Sequence, residues 1–535
     1  MVGRKPADRS LLLFCILTPR RLKVSLTYII LLSSLVRCIL ASCLDLGIDE
    51  VYYFTYAVQP DWNHFDHPPM VGWLIRCATL DLLLTGELFI RLPAIAGAAI
   101  GTVLIYHCAC LIAGKKAGLT AAILYNTSFY FGIISGLFIL PDSVQLIFWL
   151  GALYLMIRFT MAAPGKERNL LLLGIGILIG LSILSKVHGL FLWIGFLGFL
   201  VFHQPGILKS AYLYAAIFLA ALIASPIVFW NIQHDFITWR FHGERVIPGK
   251  FAIDWFSFVR TSLGQVLYAN PVHFVVYLAG IKMALTCDAR KPRQAYIDLL
   301  LWCSLPIISC TTFLSLLRDT LPHWSGPGFS GLLLVSVGVM YRYGRASHLN
   351  FLEKAVKGSA VVTVVGVGIA FFTVLYFPGT FGSGAFQDRG RGDFTLDIHG
   401  WKALRHGFTH IREEDVRTKR IDANAPLVIH KWFPGAHLYY YVAYPLDIPL
   451  IGMGALKDLH KFHWFNSRYD GLQPGDDAYF ISPSNDFTSP YQVYGDRFDK
   501  IEHAGIIPQY RNGQVARYWQ VYRLKGYKRE TVVVP

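Results

Sequence analysis

The sequence predicts a polytopic α-helical membrane protein with a water-exposed α/β domain at its C-terminal end. Of its 535 residues, 54% are hydrophobic and only 16% are charged, whereas soluble domains average about 25% charged residues. Apolar stretches of about 20 residues, the length that crosses a bilayer, recur along most of the chain. The formal charge of +15 lies in short clusters between these stretches. That distribution indicates membrane anchoring and argues against nucleic-acid binding.

The first predicted domain, 1–378, contains about eleven membrane spans separated by short connections. Its first long connection, 45–89, is predicted to lie outside. We expect the first apolar run to remain as a membrane anchor and not to be removed as a signal peptide, because no small-residue cleavage site follows it. We predict the spans at 24–44, 90–112, 117–134, 137–157, 169–185, 187–203, 211–230, 263–281, 296–317, 326–341 and 358–377.

The orientation follows from the basic residues. If the basic N-terminus (Arg4, Lys5, Arg9) is cytoplasmic, the inside segments carry most lysines and arginines, including the run from Lys282 through Arg290 and Lys291 to Arg293. The outside connections carry fewer, among them Lys250. This asymmetry predicts an inside N-terminus and, with an odd number of spans, an outside C-terminal region.

The C-terminal region, 379–535, has a different composition, rich in Asp, Gly, Pro and aromatic residues. Short strand-like runs, "PLVIH", "DAYFIS" and "YWQVYRL", alternate with turn signals. We therefore predict a soluble α/β domain outside the membrane.

Six polar clusters fall at the outer ends of spans or in outer connections. Ionisable groups near membrane depth are costly and tend to mark functional sites, so their joint placement predicts an outward-facing cavity. The clusters are "DE" (49–50), "HFDHPP" (64–69), "LPDS" (140–143), "SKVHG" (185–189), "WNIQHDF" (230–236) and "RDTLPHW" (318–324).

Each cluster also has a plainer interpretation. Asp49 and Glu50 fit solvated residues at a helix end, and Asp142 after a proline fits a capping charge. Lys186 fits a side chain that reaches to the interface, and Trp230 fits the aromatic belt. Only the convergence of the clusters favours a shared site.

The residue types suit a reaction in which a carboxylate takes a proton and cations hold an anionic leaving group. A divalent ion held by Asp49, Glu50 or Asp142 is an open alternative, because carboxylates favour hard cations. A transition metal on His64 and His67 is less favoured, since the adjacent prolines oppose a helix. Phosphate-loop, dinucleotide and nucleophile-elbow motifs are lacking.

These motifs resemble GT-C glycosyltransferases of the family 39 group, which includes protein O-mannosyltransferases and the lipid A aminoarabinose transferase. The similarity covers the first loop and continues in "GELFIRLPAIAG", "LPDSVQLIFW", "GLSILSKVHGLFLW", "SPIVFWNIQHDFITWRFH", "LPHWSGPGF" and "DFTLDIHGW". It extends over essentially the whole chain. A GT-C fold is therefore expected.

The resemblance also implies roles for individual residues. Asp49 is expected to act as the base or to orient the acceptor, supported by Glu50, and Asp142 is expected to position the acceptor or a metal. The expected ligands of the donor phosphate are Lys186, Arg318 and His323. The expected substrate contacts are His64, Asp66, His67, His188, Trp230, Asn231 and His234.

The implied reaction is a single inverting displacement. It moves a sugar from a polyprenyl-phosphate donor to a glycolipid, lipopolysaccharide, polysaccharide or protein acceptor at the outer face of a bacterial inner membrane. A lumenal sugar-binding-like domain of eukaryotic relatives is not recognisable, which favours a bacterial enzyme. A ligase or polymerase of lipid-linked glycans remains an alternative. A transporter or flippase is less favoured, because no internal repeat is recognisable.

Overall fold

The computed structural model describes residues 20–246, 253–286 and 294–528. The basic N-terminal residues Arg4, Lys5 and Arg9 and the loop cations Lys250, Arg290, Lys291 and Arg293 lie outside these ranges. The chain divides into two compact units. The first holds the chain up to Ile39, His67–Val71 and Arg91–Gly366, and the second holds Leu40–Asp66, Gly72–Ile90 and the chain from Val367.

The long apolar helices confirm a polytopic helical membrane protein. In the described ranges, seven helices are long and apolar enough to cross a membrane, or eight if one bent pair counts as a span. The seven are Ser25–Cys43, Glu87–Ala113, Pro141–Met161, Lys166–Ser185, Ala211–Gln233, Ala295–Leu314 and Ala346–Tyr376. The predicted count of about eleven is not confirmed. Three of the predicted runs form shorter helices, Lys115–Asn126, Leu190–His203 and Gly328–Tyr343.

The bent pair joins Trp255–Ala269 to Pro271–Leu285 at an angle of 94°. Asn270 lies between the two helices with φ of 82°, a left-handed conformation that stops the first helix. Its Oδ1 then accepts the backbone N–H of Val272, and Pro271 occupies the first turn. An Asn cap followed by proline is a strong helix start, so the bend is fixed locally.

The second unit contains a five-stranded mixed sheet, which confirms the predicted C-terminal sheet domain. Three of its strands, β1, β3 and β5, coincide with the three strand-like runs in the sequence. The strands are β1 Leu427–Ile429, β2 Leu450–Gly452, β3 Ala478–Pro483, β4 Phe498–Arg511 and β5 Gln514–Tyr527. Their order is β2-β1-β3-β5-β4, with β1 parallel to both of its neighbours and β5 antiparallel to both of its own.

Local sequence explains the sheet. Asn512 and Gly513, both with positive φ, join β4 to β5, and Asn-Gly is the preferred two-residue hairpin loop. One face of the sheet buries an apolar core that includes Val428, Phe480 and Leu524. The helix Trp401–Arg417 also buries an apolar side in this unit.

The first outer connection is part of this second unit. It contributes the helix Ile48–Val58 and most of Met70–Ala78. Asp45 Oδ2 accepts the backbone N–H of Trp401 at 2.9 Å, and the Tyr441 hydroxyl accepts the N–H of Leu46 at 2.6 Å. The predicted boundary at 378 assigned this connection to the membrane domain, and that assignment stays a prediction.

Candidate active site

A buried ion pair joins the ends of two membrane helices in the first unit. Pro141 starts the helix Pro141–Met161, which puts Asp142 in its first turn, where the helix dipole favours a carboxylate. Lys186 follows directly after the helix Lys166–Ser185 in an extended conformation. Lys186 Nζ lies 2.7 Å from Asp142 Oδ2, and each side chain is only 4% exposed. Two buried charges at this depth are costly and indicate a functional site.

Two residues not selected from the sequence support the pair. The Tyr130 hydroxyl donates to Asp142 Oδ1 at 3.1 Å, and Gln145 Nε2 donates to the Lys186 carbonyl at 3.0 Å. Gln145 lies one turn after Asp142 in an apolar span, so a polar residue at that position could have been selected as a site candidate from the sequence. Tyr130 is one of 28 tyrosines, and nothing in the sequence distinguishes it.

Three histidines complete this cluster. Asp142 interacts electrostatically with Lys186, His323 and His188, and His188 also interacts with His67. His323 is in the short 3-10 helix Pro322–Ser325. Burial lowers the pKa of His323 to about 4, so its ring is neutral at pH 7. Four separate sequence segments therefore supply one cluster, and the roles of its residues stay predictions.

Other predicted substrate contacts make local interactions at the end of Ala211–Gln233. His234 stacks on Trp230 with ring centroids 3.8 Å apart, and its Nδ1 lies 2.8 Å from the Trp230 carbonyl. Asn231 Nδ2 donates to the Ile227 carbonyl. Trp230 is 3% exposed, so its interpretation as an aromatic-belt residue facing lipid is wrong.

Arg318, a predicted ligand of the donor phosphate, accepts a hydrogen bond on its backbone carbonyl from Ser257 Oγ.

In the second unit, the adjacent acids of the first loop differ in their surroundings. Asp49 is exposed in the first turn of Ile48–Val58. Glu50 is 2% exposed, and its Oε2 accepts the backbone N–H of Gly47 at 2.8 Å. Glu50 thus caps the helix that presents Asp49.

The "HFDH" segment divides between the units, because His64 and Asp66 belong to the second and His67 to the first. Asp66 Oδ1 accepts hydrogen bonds from the hydroxyls of Tyr52 at 2.8 Å and Tyr56 at 2.5 Å. Burial, together with the Asp66 charge, raises the pKa of both tyrosines, so both hydroxyls remain donors. The His64 and Tyr56 rings are in contact at a tilt of 31°, with centroids 3.6 Å apart.

The described residues contain no group of three or more His, Cys, Asp or Glu side chains arranged to hold a metal ion. Protein donors already engage the oxygens of two of the carboxylates considered for a metal. Asp142 binds Lys186 and Tyr130, and Glu50 binds Gly47. The described residues therefore contain no three-ligand site, and a divalent ion held by Asp49, Glu50 or Asp142 stays a prediction.

Comparisons with known proteins agree with this architecture. Residues 66–230 match the family model described as dolichyl-phosphate-mannose-protein mannosyltransferase. The chain is 24% identical over 302 residues to the lipid A galacturonosyltransferase RgtD of Rhizobium johnstonii. That alignment covers 56% of this chain and 61% of the relative, so it spans about three fifths of the relative's length.

Solved structures share the fold across nearly the whole chain. The structure of ArnT from Cupriavidus metallidurans bound to undecaprenyl phosphate has a TM-score of 0.61 at 12% identity, covering 94% of this chain and 98% of that one. Its apo state gives a TM-score of 0.58 at 13% identity, covering 93% and 97%. The family match and the curated relative show that part of the chain is similar to membrane glycosyltransferases, and the solved structures show that the chain shares the fold of ArnT.

Proposed function

We propose that this protein transfers a sugar from a polyprenyl-phosphate donor to an acceptor at the outer face of a bacterial inner membrane. The observation that carries the proposal is the buried Lys186–Asp142 pair among His67, His188 and His323. A cation held in a poorly solvated cluster can stabilise a departing phosphate far better than one in water. The neutral His323 ring adds a further polar group without adding charge.

The proposed chemistry is a single inverting displacement. Asp49 accepts the proton of the acceptor hydroxyl, whose oxygen forms a bond to the anomeric carbon of the donor sugar. The bond from that carbon to the phosphate oxygen breaks, and the phosphate leaves with the electron pair. Lys186 exchanges its contact with Asp142 for one with the departing phosphate. This exchange begins when the donor binds, so that Asp142 is free to orient the acceptor before the displacement.

The comparisons support a lipid donor and a glycolipid acceptor. The curated relative is named a lipid A galacturonosyltransferase, and one structural neighbour contains undecaprenyl phosphate. We therefore propose undecaprenyl-type phosphate as the carrier and a lipopolysaccharide-type glycolipid as the acceptor. The cytoplasmic connections drawn from the sequence are too short for a nucleotide-binding domain of about 100 residues, which favours a lipid-linked sugar over a nucleotide sugar.

The test is a transfer assay with purified protein in lipid nanodiscs. Radiolabelled sugar is supplied either on polyprenyl phosphate or as a nucleotide sugar, and the glycolipid product is measured. We expect transfer only from the polyprenyl-phosphate donor. Efficient transfer from a nucleotide sugar in the absence of carrier lipid would refute the proposal.

A further inference from the structure

A cavity of about 260 Å³ in the second unit takes no part in the proposed chemistry. Its walls come from the turn before the helix Glu87–Ala113, from the start of the helix Trp401–Arg417 and from the segment Tyr440–Pro445. Ligand pockets for drug-sized molecules measure about 300–1,000 Å³. This cavity therefore suits a smaller group, such as one sugar with its substituent.

The charges on the wall leave one cation available. On the wall, Lys402 Nζ lies 2.6 Å from Glu87 Oε1, so these two lining charges offset each other, and Lys402 also lies 3.8 Å from Asp45 Oδ1. Arg405 also faces the cavity and is half-buried, and it has no hydrogen-bond or ion-pair partner within the part of the chain that the structure describes. A guanidinium presents a planar fork of donors that matches a carboxylate or a phosphate. The cavity is thus arranged for one anionic group.

The rest of the lining is aromatic. Tyr440, Tyr441 and Tyr444 all contribute to the wall. The Tyr440 hydroxyl donates to the Thr85 carbonyl, and the Tyr441 hydroxyl accepts the Leu46 N–H. These two rings are therefore fixed by their hydroxyl contacts. Rigid aromatic walls with a few placed polar groups are the usual lining of a small-molecule site.

The position of the cavity along the chain favours a membrane-anchored ligand. Glu87 is the first residue of a predicted membrane span, so this wall lies where the chain enters the bilayer. Immediately before it, Leu80 and Leu83 are 62% and 77% exposed. The turn is held by positive φ angles of 50°, 58° and 67° at Leu80, Asp81 and Leu82. An exposed apolar turn that lies in sequence just before the cavity wall suits a lipid surface.

We propose that this cavity binds the anionic sugar headgroup of the acceptor glycolipid, with Arg405 holding its phosphate or carboxylate and the Leu80–Leu83 turn contacting its acyl chains. The proposal rests on the proposed function for the identity of the acceptor. It adds specificity-determining residues that the proposed chemistry does not use.

The test measures binding without turnover. Purified full-length protein in nanodiscs, without any donor, is titrated with a phosphorylated, acylated glucosamine disaccharide and with its dephosphorylated form. Arg405→Gln should weaken binding of the phosphorylated lipid about 10- to 100-fold, because a hydrogen-bonded charge is lost, and should leave the dephosphorylated lipid unaffected. Arg405→Lys should restore part of the affinity. Arg417→Gln is the matched control, an exposed arginine of the same helix that pairs with Glu414.

Soluble competitors distinguish the source of the anion. Inorganic phosphate and a soluble sugar phosphate should compete at least about 10-fold more weakly than the lipid. Equal competition by inorganic phosphate, or unchanged lipid binding by Arg405→Gln, would overturn the inference. Failure of sugar transfer with intact, Arg405-dependent lipid binding would instead count against the proposed function alone.

Discussion

Lys186 donates to the carboxylate of Asp142 across 44 residues of chain, and neither side chain reaches solvent to any extent. The pair therefore joins two predicted spans, and in the proposed function it also holds a cation for the donor phosphate. Removing both charges together distinguishes a pair that only stabilises the fold from a pair that also acts in catalysis.

Asp142→Asn and Lys186→Met should each abolish measurable transfer. Each should also lower the thermal midpoint, because breaking a buried pair costs about 3–5 kcal/mol. The double variant Asp142→Asn/Lys186→Met should recover most of the stability, since no lone charge stays buried, but none of the activity. Transfer rates and thermal unfolding check this, with exposed Lys166→Met as control. Near-normal transfer by the double variant would make the pair purely structural.

Asp49→Asn should reduce the transfer rate about 10²- to 10⁴-fold, because it keeps the shape of the base but not its proton affinity. Thermal unfolding checks that the variant is folded, as expected for a substitution at an exposed position. Glu50→Gln should retain most activity, since its amide oxygen still caps Gly47. Glu50→Ala should lower stability by about 1 kcal/mol through loss of the cap. Wild-type turnover by folded Asp49→Asn protein would exclude Asp49 as the base.

Lys461 provides a pH-dependent prediction. Its side chain is 3% exposed, and burial, helped by Arg468, lowers the pKa of Lys461 to about 8 against the opposing charge of Asp61. Between pH 8 and the ordinary value of 10.5 the unfolded state binds more protons, so stability should rise with pH in that window. Below pH 8 Lys461 is charged in both states, and its burial lowers the free energy of unfolding by the full amount, on the order of 3 kcal/mol.

Lys461→Met should therefore raise the thermal midpoint at pH 7 and remove the rise between pH 8 and 10.5. The exposed neighbour variant Lys457→Met should keep that rise. Identical pH profiles for Lys461→Met and the wild type would contradict the depressed pKa.

The proposed orientation is tested by cysteine labelling in whole cells. Ala423→Cys and Ala163→Cys each place a thiol at an exposed position, one in the second unit and one beside Met161 at the end of a span. The native cysteines, including exposed Cys43 and Cys77, are first replaced. An impermeant maleimide should label Ala423→Cys and spare Ala163→Cys unless the cells are permeabilised. The opposite pattern would reverse the orientation and move the site to the cytoplasm.

Much of the fold was predictable because its signals are local. Apolar length identified the membrane helices, and the strand-like runs became β1, β3 and β5. The number of spans was less predictable, since Lys115–Asn126 and Gly328–Tyr343 are too short to be assigned by length alone. The 94° bend depends on the backbone of Asn270, which an average over an apolar window does not detect.

The sequence by itself determined a helical membrane protein with a C-terminal sheet domain, and it selected Asp142, Lys186, His188 and His323 as members of one site. Polar groups in apolar spans are costly wherever they occur, so their presence is readable without coordinates. The tertiary structure alone decided which of them touch. It paired Lys186 with Asp142, turned Glu50 into a helix cap beside exposed Asp49, and left Arg405 unpaired by described residues in an aromatic cavity. Those outcomes depend on contacts between residues far apart in the chain, and neither composition nor spacing encodes such distances.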